Sequence, residues 1–288
     1  MTPGALYLVG TPIGNRGDLA PRAREVLTAV GVVACEDTRT ARHLFGWLER
    51  PLPELISYHE HNVDRAVSDA LSRLEGGEDV AVVSDAGMPA IQDPGYRLVV
   101  AARGRGVDIV PVPGPTASVL ALAASGLPTD RFAFLGWAPR KGRERWWGHE
   151  LEREETLVVY ESPRRLAATA AAIAERDPDR NLVLARELTK VHEEFVSGAA
   201  GRLAEDWAAR EQPFRGECTL VVEGAPEAPG GERVRWRRAL ERLEESSAAE
   251  RLTARDRVDV LSAVFPAERN AIYRAVHARG EGAGPSEI

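Results

Sequence analysis

Asp79-Val80-Ala81-Val82-Val83-Ser84, followed by Asp85-Ala86-Gly87-Met88-Pro89-Ala90-Ile91-Gln92-Asp93-Pro94-Gly95 and then Tyr96–Arg103, is the stretch that decides the fold. The β-branched run reads as a buried strand and the amphipathic segment after it as a helix. The twelve residues from Ser84 to Gly95 are more than a minimal strand-to-helix connection needs. Asp93 and Pro94 are accounted for as a helix start. Asp85–Gly87 are not, and a long rigid loop at the carboxyl edge of a sheet is a candidate cofactor-binding element.

The same alternation runs outward in both directions. Leu6–Gly10, Val32–Cys35, Val107–Pro111, Phe132–Gly136, Thr156–Tyr160, Asn181–Ala185 and Cys218–Glu223 read as further strands. Pro21–Val30, Asp64–Leu74, Thr116–Ala124 and Arg164–Glu175 read as helices between them. This spacing predicts an α/β protein with largely parallel sheets, and the strand number favours two sheets over one. Gly224–Gly231 (GAPEAPGG) reads as a linker. Beyond it Val234–Glu245, Ala254–Val264 and Glu268–Ala278 read as three helices, with a frayed end at Gly280–Ile288. The expected organisation is an α/β domain over residues 1–114, a second over 115–225, and a small helical domain over 232–288.

The 288 residues are 44% hydrophobic and 28% charged, the balance of a globular protein and not of a disordered one. No apolar run has bilayer-spanning length, and the N-terminus lacks a signal-peptide pattern. Cys35 and Cys218 make neither a disulfide framework nor a zinc site, and His59 and His61 beside Glu60 lack further ligands, so no metal is expected and a reducing, cytoplasmic setting is. The net charge of −7 argues against a non-specific nucleic-acid coat while allowing a local basic patch. Lys141 and Lys190 are the only lysines among 37 basic residues, which makes those two positions more informative than lysines usually are.

Three further loops collect Gly, Pro, Ser and charged residues at strand ends, where open α/β sheets bind ligands. Gly10-Thr11-Pro12-Ile13-Gly14-Asn15 follows the first strand but has neither dinucleotide nor Walker spacing, and alone it reads as a tight turn. Val112-Pro113-Gly114-Pro115-Thr116-Ala117-Ser118 runs into a helix of small residues. Glu161-Ser162-Pro163-Arg164-Arg165 ends the strand Thr156–Tyr160, where a solvated helix start and a functional role have equal claim.

Taken together, GTPIGN, CEDTR (Cys35–Arg39), SDAGMPAIQDPG, PGPTAS, ESPRR and ARELTKVHEEF (Ala185–Phe195), in one order from residue 5 to about 223, resemble the bacterial small-subunit ribosomal RNA cytidine 2′-O-methyltransferases, a branch of the tetrapyrrole methylase superfamily. The resemblance implies two α/β domains with S-adenosylmethionine in the cleft between them. It implies cofactor contacts from Pro12, Ser84, Asp85, Ala86, Gly87, Ile91, Ala117, Ser118, Glu161 and Thr219. Met88 stands where the family more often has a small polar residue, and no role is built on it. The implied substrate is a decoding-region cytidine of 16S ribosomal RNA within an assembled small subunit, and the implied assembly a homodimer.

Methylating a ribose 2′-oxygen calls for alignment and a base. Glu36, Asp37, Glu161, Lys190, His192 and Glu193 are candidates, and desolvation beside a sulfonium would lower the Lys190 pKa. Lys190 also suits an RNA phosphate, and that reading is preferred for it over the base. Arg140-Lys141-Gly142-Arg143-Glu144-Arg145-Trp146-Trp147 is the best RNA-contact segment, its cations meeting phosphates and its tryptophans stacking on unpaired bases, against the reading in which the Trp pair packs inward. Arg164 and Arg165 join it, and Arg233–Arg238 is a second, charge-balanced cluster. Two alternatives stand beside the RNA enzyme. A small-molecule tetrapyrrole methylase predicts a macrocycle-sized apolar cleft and no use for the basic segment. A non-catalytic RNA-binding protein has no use for the cofactor loops.

Overall fold

The computed structural model describes residues 2–226, 236, 239–240, 243–244, 246, 251–265 and 269–280. Residues cluster into two compact units, Met1–Gly224 and Ala225–Ile288.

In the first unit, β1 (Leu6–Val9), β2 (Val32–Cys35), β3 (Glu54–Ser57), β4 (Val80–Val83) and β5 (Ile109–Val112) form a sheet in the order β3-β2-β4-β1-β5. Every pairing in it is parallel. Parallel neighbours need crossovers, and these are the helices α1 (Pro21–Ala29), α2 (Thr38–Leu48), α3 (Val63–Glu75) and α4 (Gly95–Gly104). The sheet is therefore covered on both faces, and its central strands β2 and β4 are apolar without interruption and buried at all four positions. Alternate residues feed separate cores. Leu6, Val80 and Val82 pack on one face with Ala70 and Leu74, and Val9, Ala81 and Val83 on the other with Leu27 and Phe45.

The second sheet contains β6 (Phe132–Trp137), β7 (Thr156–Glu161), β8 (Asn181–Arg186), β9 (Glu194–Ala199) and β10 (Cys218–Val222), in the order β6-β7-β10-β8-β9. Only β6–β7 is parallel, and the other three pairings are antiparallel. This corrects the expectation of largely parallel sheets. β8 and β9 are joined by a short turn, which only an antiparallel pair permits. One face carries α6 (Arg143–Glu150), α7 (Leu166–Ala174) and α8 (Ala200–Ala208) over Leu157, Val159, Leu182, Leu184 and Leu220. The opposite face packs Val158, Val183 and Val221 against Ala121 and Leu122 of α5 (Ala117–Ser125).

The composition and period of the strands thus account for eight of the ten among the described residues. β3 (ELIS) and β9 (EFVSGA) escape because they mix polar and small residues with the apolar ones, whereas β5 (IVPV) and β6 (FAFLGW), which are edge strands too, carry no charged or hydroxyl side chain. α2 and α8 are helices that the pattern does not predict, and α6 is the amphipathic helix of the reading in which the Trp pair packs inward. In the second unit, Trp236, Leu240, Val258, Leu261, Ile272 and Val276 form a core of its own. Helices span Ala254–Val264 and Arg269–Gly280. Most of Val234–Glu245 and of the Arg233–Arg238 cluster, and all of 281–288, lie outside the described residues.

Candidate functional site

The carboxyl ends of β1, β4 and β5 converge. Thr11 N–H donates to Gly87 O at 2.9 Å and Gly87 N–H to Thr11 O at 3.1 Å, an isolated bridge that ties the first loop to the Ser84–Gly95 loop. Gly87 has φ +83°, a conformation that L side chains resist. A Cβ there would lie 3.3 Å from Pro115 O and 3.4 Å from Ile13 Cγ2, so three loops close on one another at backbone level. Gly10 and Gly114 meet more tightly still, a Cβ on Gly10 lying 2.6 Å from Gly114 Cα.

Opposite these loops lies the α5 face of the second sheet. Thr219 of β10 pairs with Tyr160 of β7 on one side and Ala185 of β8 on the other, so the three form one row across the sheet. Loops and row enclose a cleft lined also by Ile13, Ala86, Gly87, Met88, Ile91, Ala117, Trp137 and Leu188. It holds about 830 Å³ of empty space, part of it open to solvent. Tyr160 is hydrogen-bonded with Ser118 at the start of α5, and burial raises its phenol pKa.

Of the residues implied as cofactor contacts, Ala86, Gly87, Ile91, Ala117 and Thr219 line this cleft. Pro12, Ser84 and Asp85 line an adjoining pocket with Asp37, Thr40 and Trp47, and Ser118 is buried behind Tyr160. Glu161 is placed differently. Its side chain has no exposed surface and accepts from Ser162 N–H and Thr169 Oγ1, both at 2.6 Å, while Arg165 pairs with it at 2.5 Å. The strand pleat explains why: Glu161 follows Tyr160, and neighbouring strand residues face opposite sides. It is a buried ion pair anchoring the ESPRR turn, lining neither pocket.

The candidate bases separate by environment. Hydrogen bonds from Arg39 hold Asp37 at about 2, too weak a base to take a hydroxyl proton near neutrality. Lys190 Nζ bonds Glu187 Oε1 at 2.8 Å and Glu217 Oε2 at 3.0 Å. Burial pulls its pKa down, but the two carboxylates outweigh burial and raise it. That reverses the expected lowering: Lys190 is a charged ammonium already paired, with its stem packed on Gly14. Glu193 accepts from Thr189 N–H at 2.6 Å. Burial first, and then the neighbouring Asp85, Asp93, Glu60 and Asp37, raise Glu36 above the usual carboxyl range. His192 lies on the exposed part of the β8–β9 turn, beside Val191 at 95% exposure.

In the basic segment, Arg140, Lys141 and Arg145 are exposed and Arg143 is partly so. Trp147 is fully buried among Leu151, Leu157 and Ile173, and Trp146 packs edge-to-face on it at 4.8 Å. Trp147 is therefore core and its stacking on RNA is corrected, while Trp146 is half-buried against the same core. Arg140 and Lys141 precede the helix and Arg145 is exposed within it, so these cations and the buried Trp147 separate although they adjoin in sequence. A groove beside them is lined by Trp137, Pro139, Arg140, Ser162, Arg164 and Arg165. Arg164 is exposed, whereas Arg165 is spent on Glu161.

Tyr160, Trp137, Leu188 and Met88 are cleft residues that sequence reasoning missed. Tyr160 had a signal, the strand's last alternating position before ESPRR. Among the described residues no group of three or more His, Cys, Asp or Glu side chains could hold a metal. Likewise no described helix is long and apolar enough to cross a membrane.

Residues 5–204 match the family described as Tetrapyrrole (Corrin/Porphyrin) Methylases. The chain is 44% identical over 285 residues to the ribosomal RNA small subunit methyltransferase I of Micromonospora olivasterospora, covering 98% of this chain and 89% of that one. With the protein of the same name from Pseudomonas aeruginosa it shares 42% identity over 96% and 93% of the two chains. Among solved structures it is similar to uroporphyrin-III-C-methyltransferase from Thermus thermophilus, at 27% identity and TM-score 0.54, covering 76% of this chain and 94% of that one.

Proposed function

The chain belongs to the tetrapyrrole methylase family, and from that membership and the cleft we propose that it is an S-adenosylmethionine-dependent methyltransferase acting on the 2′-oxygen of a cytidine ribose in the decoding region of 16S ribosomal RNA. The cleft's chemistry fits that cofactor. The Thr219 and Thr116 hydroxyls offer partners to polar groups, Ile13, Ile91, Ala117 and Leu188 offer apolar walls, and Gly87 allows close backbone approach. Ala86, Gly87, Ile91, Ala117 and Thr219 would hold it, with Pro12, Ser84 and Asp85 beside them. When bound, it supplies a methyl group already activated on a sulfonium. The chain's own contribution is alignment of the two reactants and exclusion of water between the loops and the Tyr160–Thr219–Ala185 row.

The observation favouring RNA over a tetrapyrrole is the basic groove that adjoins the cleft through Trp137. Exposed Arg140 and Arg164 make no ion pair with a described carboxylate and suit phosphates. Relatives named ribosomal RNA small subunit methyltransferase I also cover nearly the whole chain, tail helices included. A cytoplasmic homodimer acting on the assembled small subunit completes the reading. We take residues 1–114 and 115–225 as its two catalytic domains and 232–288 as an appended helical one.

The test is methyl transfer from labelled S-adenosylmethionine to small subunits taken from cells lacking the gene, with mass spectrometry of the nucleosides. A 2′-O-methylcytidine absent from the gene-less subunits and restored by the protein is the expected result. Transfer to a tetrapyrrole and none to subunits would replace the reading.

A further inference from the structure

Trp137 is 57% exposed at the end of β6 and is the residue that the cleft and the basic groove share. Regular alternation along β6 would not put it there. Ala133 and Leu135 pack against the helix-covered core, and the same period would send Trp137 after them. The register between β6 and β7 shifts between Phe134 and Trp137. Gly136, at φ +71°, absorbs the bulge. The extra residue turns Trp137 to the side of Phe134, and both rings meet Tyr160 edge-to-face, at 4.9 Å and 5.6 Å. A bulge that spends a glycine to move a large indole from core to cleft mouth runs against burial, which would stabilise the ring on the other face.

Resting on the ribosomal RNA reading above, we propose that Trp137 is the stacking platform for the base of the nucleotide being methylated. A ribose whose 2′-oxygen reaches into the cleft carries its base within one nucleoside's length, at the mouth. In an A-form helix that ribose cannot enter a cleft between two sheets without being splayed out, which leaves the base unstacked. An aromatic face held at one edge by Tyr160 replaces the lost stacking whatever the base identity. Arg140 and Arg164, in the same groove, meet the phosphates on either side of the displaced nucleotide.

The test uses the 288-residue protein with small ribosomal subunits, comparing Trp137→Ala and Trp137→Phe with the parent. Because the ring is more than half exposed, melting temperatures should agree within about 2 °C. kcat/KM for subunits should fall between about five- and 150-fold in Trp137→Ala, the span one lost base–aromatic stack carries. Trp137→Phe should recover most of it, and calorimetric affinity for S-adenosylmethionine should change less than about threefold in either. A Trp137→Ala enzyme as efficient as the parent overturns the platform alone. So does a loss of cofactor affinity that matches the loss in kcat/KM, since the ring is then a wall of the cofactor site. A parent that binds S-adenosylmethionine yet methylates no subunit overturns the RNA reading and the platform with it.

Discussion

Glu161→Ala separates the two roles open to the carboxylate of the ESPRR segment. In the structure Glu161 has no exposed side-chain surface, and Arg165, paired with it at 2.5 Å, is 22% exposed. Removing one partner of a buried pair leaves the other charge uncompensated, at about 3–5 kcal/mol. Partial solvation of Arg165 argues for the lower end. Thr169, fully buried, also loses the acceptor of its 2.6 Å hydrogen bond, which adds on the order of 1 kcal/mol. The expected total is about 3–5 kcal/mol, or a fall in melting temperature of roughly 6–20 °C at 2–4 °C per kcal/mol for a unit of this size. Glu161→Gln keeps one acceptor oxygen, enough for Thr169, but sets its amide NH2 against Ser162 N–H and Arg165, so it should recover only on the order of 1 kcal/mol of that loss. Thermal and urea melts give the stability, and calorimetry at low temperature gives cofactor affinity in the protein that remains folded, which should be near that of the parent. A Glu161→Ala protein that melts with the parent but no longer binds S-adenosylmethionine would refute the anchoring role and restore the contact implied by resemblance.

At Gly87, φ +83° and the 3.3 Å approach to Pro115 O make any side chain unfavourable. Gly87→Val should weaken cofactor binding at least tenfold while a cooperative melt persists; unchanged affinity would remove this loop from the site. Trp147→Ala should destabilise by about 3–5 kcal/mol as a large-to-small core change. Its Nε1 has no hydrogen-bond partner, so Trp147→Phe should cost far less, and loss of RNA affinity at unaltered stability would reverse the assignment to core. Burial pushes the Cys35 thiol up to about 11 and the Cys218 thiol up to about 12. Both should resist alkylation at pH 7–8, where unfolded thiols react. Since each folded value lies above that of an unfolded thiol, the stability the neutral thiols contribute is complete below about pH 9 and lost as pH rises toward 11–12. Rapid alkylation of either cysteine in the native protein at pH 7.5 would contradict that.

What the sequence disclosed and what it hid divide along one physical line. β2 and β4, central and buried at every position, announce themselves as continuous apolar runs. β3 and β9 sit at sheet edges, and their mixed patterns carry no comparable signal. The Ser84–Gly95 loop was legible because its length and turn residues exceed what a connection needs. Tyr160 and Trp137 were not, because their place in the cleft depends on pairing register and a bulge, which are properties of neighbouring strands and not of the local pattern. The placing of Glu161 has a related cause. Its motif carried the expectation, while the pleat turned the side chain away from the row that forms the cleft floor. Charge was equally ambiguous: Arg164 and Arg165 are adjacent in sequence, yet one is exposed and the other closes a buried ion pair.

Backbone strain marks how the cleft is held. Of the five described non-glycine residues at positive φ, Glu49 ends a helix, and the other four are Ala90, Gln92, Glu187 and Thr189. The first two lie in the Ser84–Gly95 loop and the last two between β8 and β9. Each pair flanks a contact from one sheet's loops to the other's. The Gln92 amide fills the space a Gly136 side chain would need, and the Lys190 stem fills that of Gly14. Residues in such conformations cost about 1–3 kcal/mol each and persist where their surroundings over-determine them. Here the glycines opposite supply the room, and the Glu187–Lys190–Glu217 pairs hold the second loop in its strained form. Strain placed on both sides of the cleft, with the small residues that permit it, fixes the distance between the Gly87 loop and the Tyr160–Thr219–Ala185 row. A reaction that depends on aligning two reactants gains most from that fixed distance.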